Sequence, residues 1–150
     1  MVHTLNDSLF RNALLAGIEG AYTVSNLEVY LVGGGGIQYY ASATPELRRP
    51  TIDVDLQSKI HTPVSMRNQW GRNTESRLKE RELKGSYKHK KTKTGAEVRV
   101  ETEDKKPFFV HLDSFTPKYI QEHQRIIDSS YERKRPLKVE GRKENVSYFV

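Results

Sequence analysis

The sequence contains no cysteine among its 150 residues. This absence excludes disulfide bonds, iron–sulfur clusters, zinc sites built from thiolates and enzymes that use a thiol nucleophile. Apolar residues make up only 35% of the chain, which predicts a single domain with a modest core and a heavily solvated surface. The five histidines show no metal-binding spacing such as His-x-x-x-His.

The chain also lacks a long uninterrupted apolar run. The segment near the amino end is broken by Arg11, Asn12, Glu19 and Gly20, and no cationic leader precedes it. The pattern therefore predicts neither a signal peptide nor a membrane span. We expect a cytoplasmic protein with no membrane partner.

Basic residues outnumber acidic ones, giving a formal net charge of +6. Two basic runs, 77–93 and 125–143, contribute much of this excess. Such runs most often form a solvated face, although aromatic residues between the charges are also typical of a surface that follows an RNA backbone. Both interpretations stay open on composition alone.

Hydrophobic periodicity predicts a protein that mixes helices and strands. Helices are predicted at about 6–20, 37–41, 63–83 and 117–127; strands are predicted at 27–32 and 51–56, as two or three antiparallel strands between 86 and 113, and at 137–139 and 146–150. The last strand either pairs in the sheet or belongs to a longer chain.

Two neighbouring features of the sequence are energetically costly. Four consecutive glycines, 33–36, follow an apolar strand, and Asp53 and Asp55 lie two residues apart in the next strand. Each glycine inside regular structure costs about 0.5–1 kcal/mol relative to Ala, and two carboxylates on one strand face repel each other. A metal-bound nucleoside triphosphate would offset both costs, because the cation neutralises the acids and exposed N–H groups bind phosphate. The alternatives are a flexible glycine loop and a solvated strand edge.

These features together resemble the nucleotidyltransferase superfamily, in which a hydrophobic-Gly-Gly turn precedes a strand bearing Asp-x-Asp. Residues 31–34, Leu-Val-Gly-Gly, and 49–56, Arg-Pro-Thr-Ile-Asp-Val-Asp-Leu, look most like the AbiEii-type toxin branch. The resemblance implies an α/β fold of the polymerase-beta type, with a mixed sheet of about five strands and helices mainly on one side. It also implies transfer of a nucleotide from a triphosphate to an RNA, in particular tRNA, or to a protein, with a cognate antitoxin as partner.

The resemblance implies further site residues. A third carboxylate on a later strand is best assigned to Asp113, with Glu101 as the alternative. In the two-metal mechanism of this superfamily, Asp53 and Asp55 hold two ions, Mg²⁺ or Mn²⁺, and Asp113 binds one of them and helps to deprotonate the attacking hydroxyl. The residues expected to contact the nucleotide are Gly33, Gly34, Gly35, Arg49, Thr51 and Lys59, with Lys118 as a further phosphate contact.

The helical part that related proteins generally add after the catalytic domain has no counterpart in these residues. We therefore expect 1–150 to form a catalytic domain, and it stays open whether acceptor recognition lies outside it. Two other functions fit the same sequence. One is a module that kept the fold but lost the chemistry and binds RNA or regulates a partner, and the other is an enzyme that modifies a small molecule such as an antibiotic.

Overall fold

The computed structural model describes residues 8–36, the backbone of 37–40, and residues 52–88, 94–103, 105–143 and 146–150. The elements in chain order are α1 (Ser8–Tyr22), β1 (Val29–Val32), α2 (Gly33–Tyr40), β2 (Asp53–Ser58), α3 (Val64–Glu80), β3 (Gly85–Lys88), β4 (Ala96–Val100), β5 (Phe108–Asp113) and α4 (Pro117–Glu132). Within these described ranges, no helix is long and apolar enough to span a membrane.

The five strands form one mixed sheet in the order β1-β2-β5-β4-β3. β2 pairs with β5 in parallel, whereas the other three neighbouring pairs are antiparallel. The predicted α/β architecture with about five strands is therefore confirmed. The two central strands, β2 and β5, are far apart in the chain, so their pairing brings together residues that no local pattern connects.

Alternation of side chains gives the sheet one buried face and one open face. On β2, Val54 and Leu56 are buried, and on β5 Val110 and Leu112 are buried. α1 packs on the β1, β2 and β5 side of the sheet, α3 packs on β3 and β4, and the two helices pack on each other. The open face carries the accessible polar residues of the two central strands, and this is where a ligand can reach the sheet. These residues are Asp53, Asp55 and Gln57 of β2 and His111 and Asp113 of β5.

α1 is buried along most of its length because it lies between the sheet and α3. Trp70 of α3 is fully buried, and its indole Nε1 donates a hydrogen bond to the carbonyl of Gly17 at 3.0 Å. Gly20 allows the close approach of the two helices, since a Cβ there would lie 2.4 Å from Thr74 Oγ1 and 3.0 Å from the Thr74 backbone nitrogen. Glycine at this contact is a packing requirement.

Replacing Gly20 by Ala should therefore lower the free energy of unfolding by about 1–3 kcal/mol, because the added methyl group forces α1 and α3 apart. Urea denaturation followed by tryptophan fluorescence measures the change. Gly36→Ala is the matched control, because a Cβ there would lie 3.4 Å from its nearest neighbour, the Leu31 carbonyl. Equal destabilisation of the two variants would contradict the helix packing described above.

A buried ion pair joins α1, the end of α3 and the carboxy-terminal segment. Glu19 is 1% exposed, and its Oε1 lies 2.7 Å from the Arg81 guanidinium. Arg81 also donates to the Gly141 carbonyl at 3.2 Å, and the Tyr148 hydroxyl donates to Glu19 at 3.2 Å. Burial, together with the nearby Glu19 carboxylate, raises the pKa of Tyr148 to about 12. The pair thus anchors the last described residues to the core.

Several predicted boundaries differ from the structure. α2 begins at Gly33, not after the glycines, and α3 ends at Glu80, before Leu83. The predicted strands at 137–139 and 146–150 are reduced to isolated bridges, in which Phe149 pairs with Tyr30 and Pro136. The carboxy-terminal segment therefore does pair at the β1 edge of the sheet, through single bridges instead of a full strand.

Candidate metal centre

Asp53 and Asp55 lie on the same face of β2, as the alternation predicts, while Val54 and Leu56 point into the core. The parallel register of β2 and β5 sets Asp55 directly beside His111. One ligand atom from each of Asp53, Asp55 and His111 lies within 4.8 Å of the others. Two carboxylates and an imidazole in this arrangement can hold a divalent cation.

Both ring nitrogens of His111 face carboxylate oxygens. Nδ1 lies 3.0 Å from Asp55 Oδ1 and 3.7 Å from Asp53 Oδ2, and Nε2 lies 2.7 Å from Oε1 of Glu97 on β4. The hydrogen bond to Asp55 raises the pKa of His111 above its ordinary value of 6.5, burial opposes this, and the hydrogen bond to Glu97 raises it further. The imidazole therefore lies inside a field of negative charge that attracts a cation.

The alternation of residues 108–113 predicts only that His111 is a half-buried sheet residue, and no local pattern assigns Glu97 to a site. The histidine is indeed half-buried, with 31% of its side chain exposed, but its position beside Asp55 makes it part of the centre. The antiparallel register of β4 and β5 sets Glu97 opposite His111. Local alternation predicts which face of its own strand each residue occupies. Only the pairing of β4 with β5 shows that His111 and Glu97 are neighbours on the same face of the sheet.

The two candidates for a third carboxylate lie on either side of this centre. Asp113 follows His111 by two residues on the same face of β5, is exposed, and pairs in register with Gln57. Glu101 is exposed just after the end of β4. Arg99 lies between Glu101 and Glu97 in the alternation along this strand. The group of Asp53, Asp55 and His111 includes neither of them. The assignment of Asp113 stays a prediction.

The first glycine of α2 touches the acidic pair. Gly33 has a φ of +64°, and a Cβ at this position would lie 2.7 Å from Asp55 Oδ2. Gly33 and Gly34 are exposed, whereas Gly35 is buried and packs so closely on Leu31 and Phe10 that a Cβ would lie 2.9 Å from each. The first glycine of the run therefore borders the centre, whereas Gly35 lets α2 pack closely on the core.

Gly33→Ala should disturb the centre directly. The left-handed backbone costs an L-residue about 1–2 kcal/mol, and the methyl group would push the Asp55 carboxylate out of place. We expect the variant to fold but to lose most of the thermal stabilisation that Mn²⁺ or Mg²⁺ gives the wild-type protein. Gly36→Ala, farther along the same helix, should keep that stabilisation, and a normal metal response of Gly33→Ala would contradict the proposed contact.

The centre opens into a cleft of about 490 Å³. The residues that line it are Val32, Gly33, Asp55, Leu56, Gln57, Thr94, Gly95, Ala96, Glu97, His111, Leu112 and Asp113. Asp55, His111 and Asp113 therefore share one solvent-accessible space with the start of α2. Such a cleft is large enough for part of a nucleotide.

The other predicted nucleotide contacts are less well placed or lie elsewhere. Arg49 and Thr51 are outside the described residues. Lys59 lies 3.0 Å from Asp128 of α4, and its ammonium lies 4.7 Å from the centre of the Tyr131 ring, so its charge is already shared with α4. Lys118 is exposed on α4.

Several residues of the two basic runs make ion pairs within the protein. The pairs are Arg77 and Lys143 with Glu80, Arg81 with Glu19, and Lys134 with Glu28. The Arg81 pair is buried and favours a structural role for Arg81 over an RNA-binding one. The remaining basic residues leave the RNA interpretation as a prediction.

No protein-family model and no curated protein matches the sequence. Among solved structures, the chain is similar to an antigenic nucleotidyltransferase-like protein from Paracoccidioides brasiliensis, with a TM-score of 0.49 and 18% identity over 95% of this chain and 61% of that chain. It is also similar to a cytoplasmic RNA terminal U-transferase, with a TM-score of 0.39 and 9% identity over 83% of this chain and 33% of that chain. The chain thus spans 61% and 33% of the lengths of these two proteins.

Proposed function

We propose that this protein is a metal-dependent nucleotidyltransferase, which moves a nucleoside monophosphate from a triphosphate to a hydroxyl group. The observation that carries the proposal is the contact between Asp55 and Gly33. It joins a two-carboxylate face of the sheet to the start of α2, so that a cation and a polyphosphate can be bound side by side. If Asp53 and Asp55 lay on an ordinary solvated strand edge, the residue in contact with Asp55 would not need to be glycine.

The donor set fits a divalent cation, since two carboxylates and an imidazole converge, and two of these three ligands, Asp55 and His111, line the open cleft. Bound Mg²⁺ or Mn²⁺, two ions by the family resemblance, would neutralise the phosphates and lower the pKa of the attacking hydroxyl. Asp53, Asp55 and His111 would hold the cation, and the exposed backbone of Gly33 and Gly34 would contact phosphate.

The remaining chemistry requires positioning and one proton transfer. The acceptor oxygen forms a bond to the α-phosphorus while the bond from that phosphorus to the pyrophosphate oxygen breaks, and pyrophosphate leaves. Asp113 lines the same cleft as Asp55 and is our candidate for taking the proton of the acceptor hydroxyl. The predicted phosphate contacts of Arg49 and Thr51, which lie outside the described residues, belong to this proposal as well. Gly35 and Lys59 are left out of it, because Gly35 is buried against the core and Lys59 pairs with Asp128 of α4.

The proposal extends to the biological role. The Arg-x-Thr-x-Asp-x-Asp pattern at 49–55 supports a cytoplasmic toxin of a toxin–antitoxin or phage-defence pair, with a cognate antitoxin as partner. Its acceptor would be an RNA, in particular tRNA, or a protein.

Incubation of the purified protein with each labelled nucleoside triphosphate, Mg²⁺ or Mn²⁺, and total RNA or protein extract tests the activity. We expect label in the macromolecular fraction and none after chelation with EDTA. Label that is dialysable after incubation with small-molecule acceptors would instead select a small-molecule nucleotidyltransferase. No label with any triphosphate, metal or acceptor would contradict transferase activity.

One observation favours a second candidate, a binding module without catalysis. The cluster that could hold a metal contains two carboxylates and His111, instead of the three carboxylates that the family resemblance implies. Such a module would bind RNA without transferring a nucleotide. RNA binding by gel shift, with no thermal stabilisation by metal and triphosphate, would select it over the transferase.

A further inference from the structure

We propose that His111 makes this centre selective for a transition-metal cation, Mn²⁺ in the first instance, over Mg²⁺. This inference rests on the same site as the proposed function and specifies the ion that it takes. It also assigns Glu97 a role, as the residue that positions the imidazole.

The first support is the direction of the imidazole. Nδ1 of His111 lies 3.0 Å from Asp55 and 3.7 Å from Asp53, so it points to the place where a cation held by both carboxylates would lie. The ring of Phe109 lies parallel to the imidazole, with 5.8 Å between the ring centres and 8° between the planes. Stacking on one side and strand pairing on both sides keep the ring in this orientation.

The second support is the contact at the opposite ring nitrogen. Nε2 of His111 lies 2.7 Å from Glu97 Oε1. A metal-ligating histidine commonly donates its other ring N–H to a carboxylate, which sets the tautomer and raises the basicity of the ligating nitrogen. Glu97 lies on β4, directly opposite His111, so the sheet itself builds this carboxylate–histidine–metal arrangement.

The third support is ligand chemistry. Mg²⁺ is a hard cation that prefers carboxylates, phosphates and water, and it gains little from an imidazole. Mn²⁺ accepts the same oxygen ligands and also nitrogen, and later transition metals bind imidazole still more strongly. The open cleft beside the three ligands leaves coordination positions for phosphate and water. A centre with Asp53, Asp55 and His111 therefore favours Mn²⁺ more than three carboxylates would.

The experiment compares Mn²⁺ and Mg²⁺ affinity without any nucleotide. The full chain, stripped with EDTA, is titrated with MnCl₂ while electron paramagnetic resonance measures free Mn²⁺, and competition with MgCl₂ gives the ratio of the two dissociation constants. His111→Asp converts the centre to three carboxylates, Glu97→Gln removes the positioning charge, and His123→Asp on α4 is the control for adding an acid elsewhere. Thermal unfolding of each variant shows that it is folded.

We expect His111→Asp to reduce the preference for Mn²⁺ over Mg²⁺ on the order of tenfold. Glu97→Gln should weaken Mn²⁺ binding by about 10–100-fold, and His123→Asp should change neither quantity. An unchanged preference in folded His111→Asp, or no Mn²⁺ binding by the wild-type protein, would overturn the inference. If Mn²⁺ binds as expected but no triphosphate is consumed with any acceptor, the inference stands and the proposed transferase activity fails.

Discussion

Replacing Asp53 by Asn should reduce nucleotide transfer at least about a thousandfold, because the variant loses one of the charges that hold the cation and charge stabilisation by such an ion contributes several kcal/mol. Asn has nearly the same size as Asp, so the fold should survive. Val54 and Leu56, which anchor β2 in the core, are untouched. The initial rate of label incorporation, at saturating triphosphate and metal, measures the effect.

The control for this variant is Glu122→Gln, which removes an exposed acid on α4. It should transfer nucleotide at the wild-type rate. Transfer by Asp53→Asn within about tenfold of wild type, a loss of only about 1.4 kcal/mol, would show that this carboxylate is not the metal ligand we propose.

The largest effect on stability should come from Arg81→Met, with a loss of about 3–5 kcal/mol in the free energy of unfolding. Glu19 is 1% exposed and its Oε1 accepts from Arg81. Its other oxygen, Oε2, has no hydrogen-bond partner in the part of the chain that the structure describes. Removal of the guanidinium would therefore leave a buried charge to which, among the described residues, the Tyr148 hydroxyl still donates. Urea denaturation at neutral pH measures the loss.

Two further variants distinguish the stability lost with this ion pair from the stability lost on removing any arginine. Arg77→Met removes an exposed partner of Glu80 on α3 and should leave stability nearly unchanged. The double variant Glu19→Gln with Arg81→Met removes the buried charge as well, and should recover part of the loss. If Arg81→Met is as stable as Arg77→Met, the Glu19 network does not anchor the carboxy-terminal segment.

Local sequence patterns are sufficient to predict those features of the structure that depend on a single strand or helix. Alternation within 52–56 predicts that Asp53 and Asp55 share a face, and the structure confirms it. Pro117 predicts the start of α4, where Thr116 caps the helix by accepting from the Tyr119 N–H at 3.1 Å. These features follow from backbone geometry over a few residues.

The composition of the centre could not be read in the same way, because it depends on register between distant strands. Asp113 and His111 lie on the same face of β5, and local alternation treats them alike. Only the parallel pairing of β2 and β5 sets His111 beside Asp55 and Asp113 beside Gln57. Glu97 was missed for the same reason, since β4 reaches the centre only through its pairing with β5.

The glycine run shows tertiary packing overriding local propensity. Low helix propensity predicts a turn at 33–36 and a helix after it. In the structure these glycines form the first turn of α2, and Gly35 fits closely against Leu31 and Phe10. The close packing compensates for the weak intrinsic preference, and it leaves Gly33 and Gly34 exposed at the helix start beside Asp55.

The proposed function requires one cation and one polyphosphate to be held together by the open face of β2 and the start of α2. Crystals grown with Mn²⁺ and a non-hydrolysable nucleoside triphosphate test it by anomalous diffraction. We predict a manganese peak in direct contact with Asp53 and Asp55, with phosphate density against Gly33 and Gly34. A manganese peak away from both aspartates, or triphosphate bound elsewhere on the protein, would contradict it.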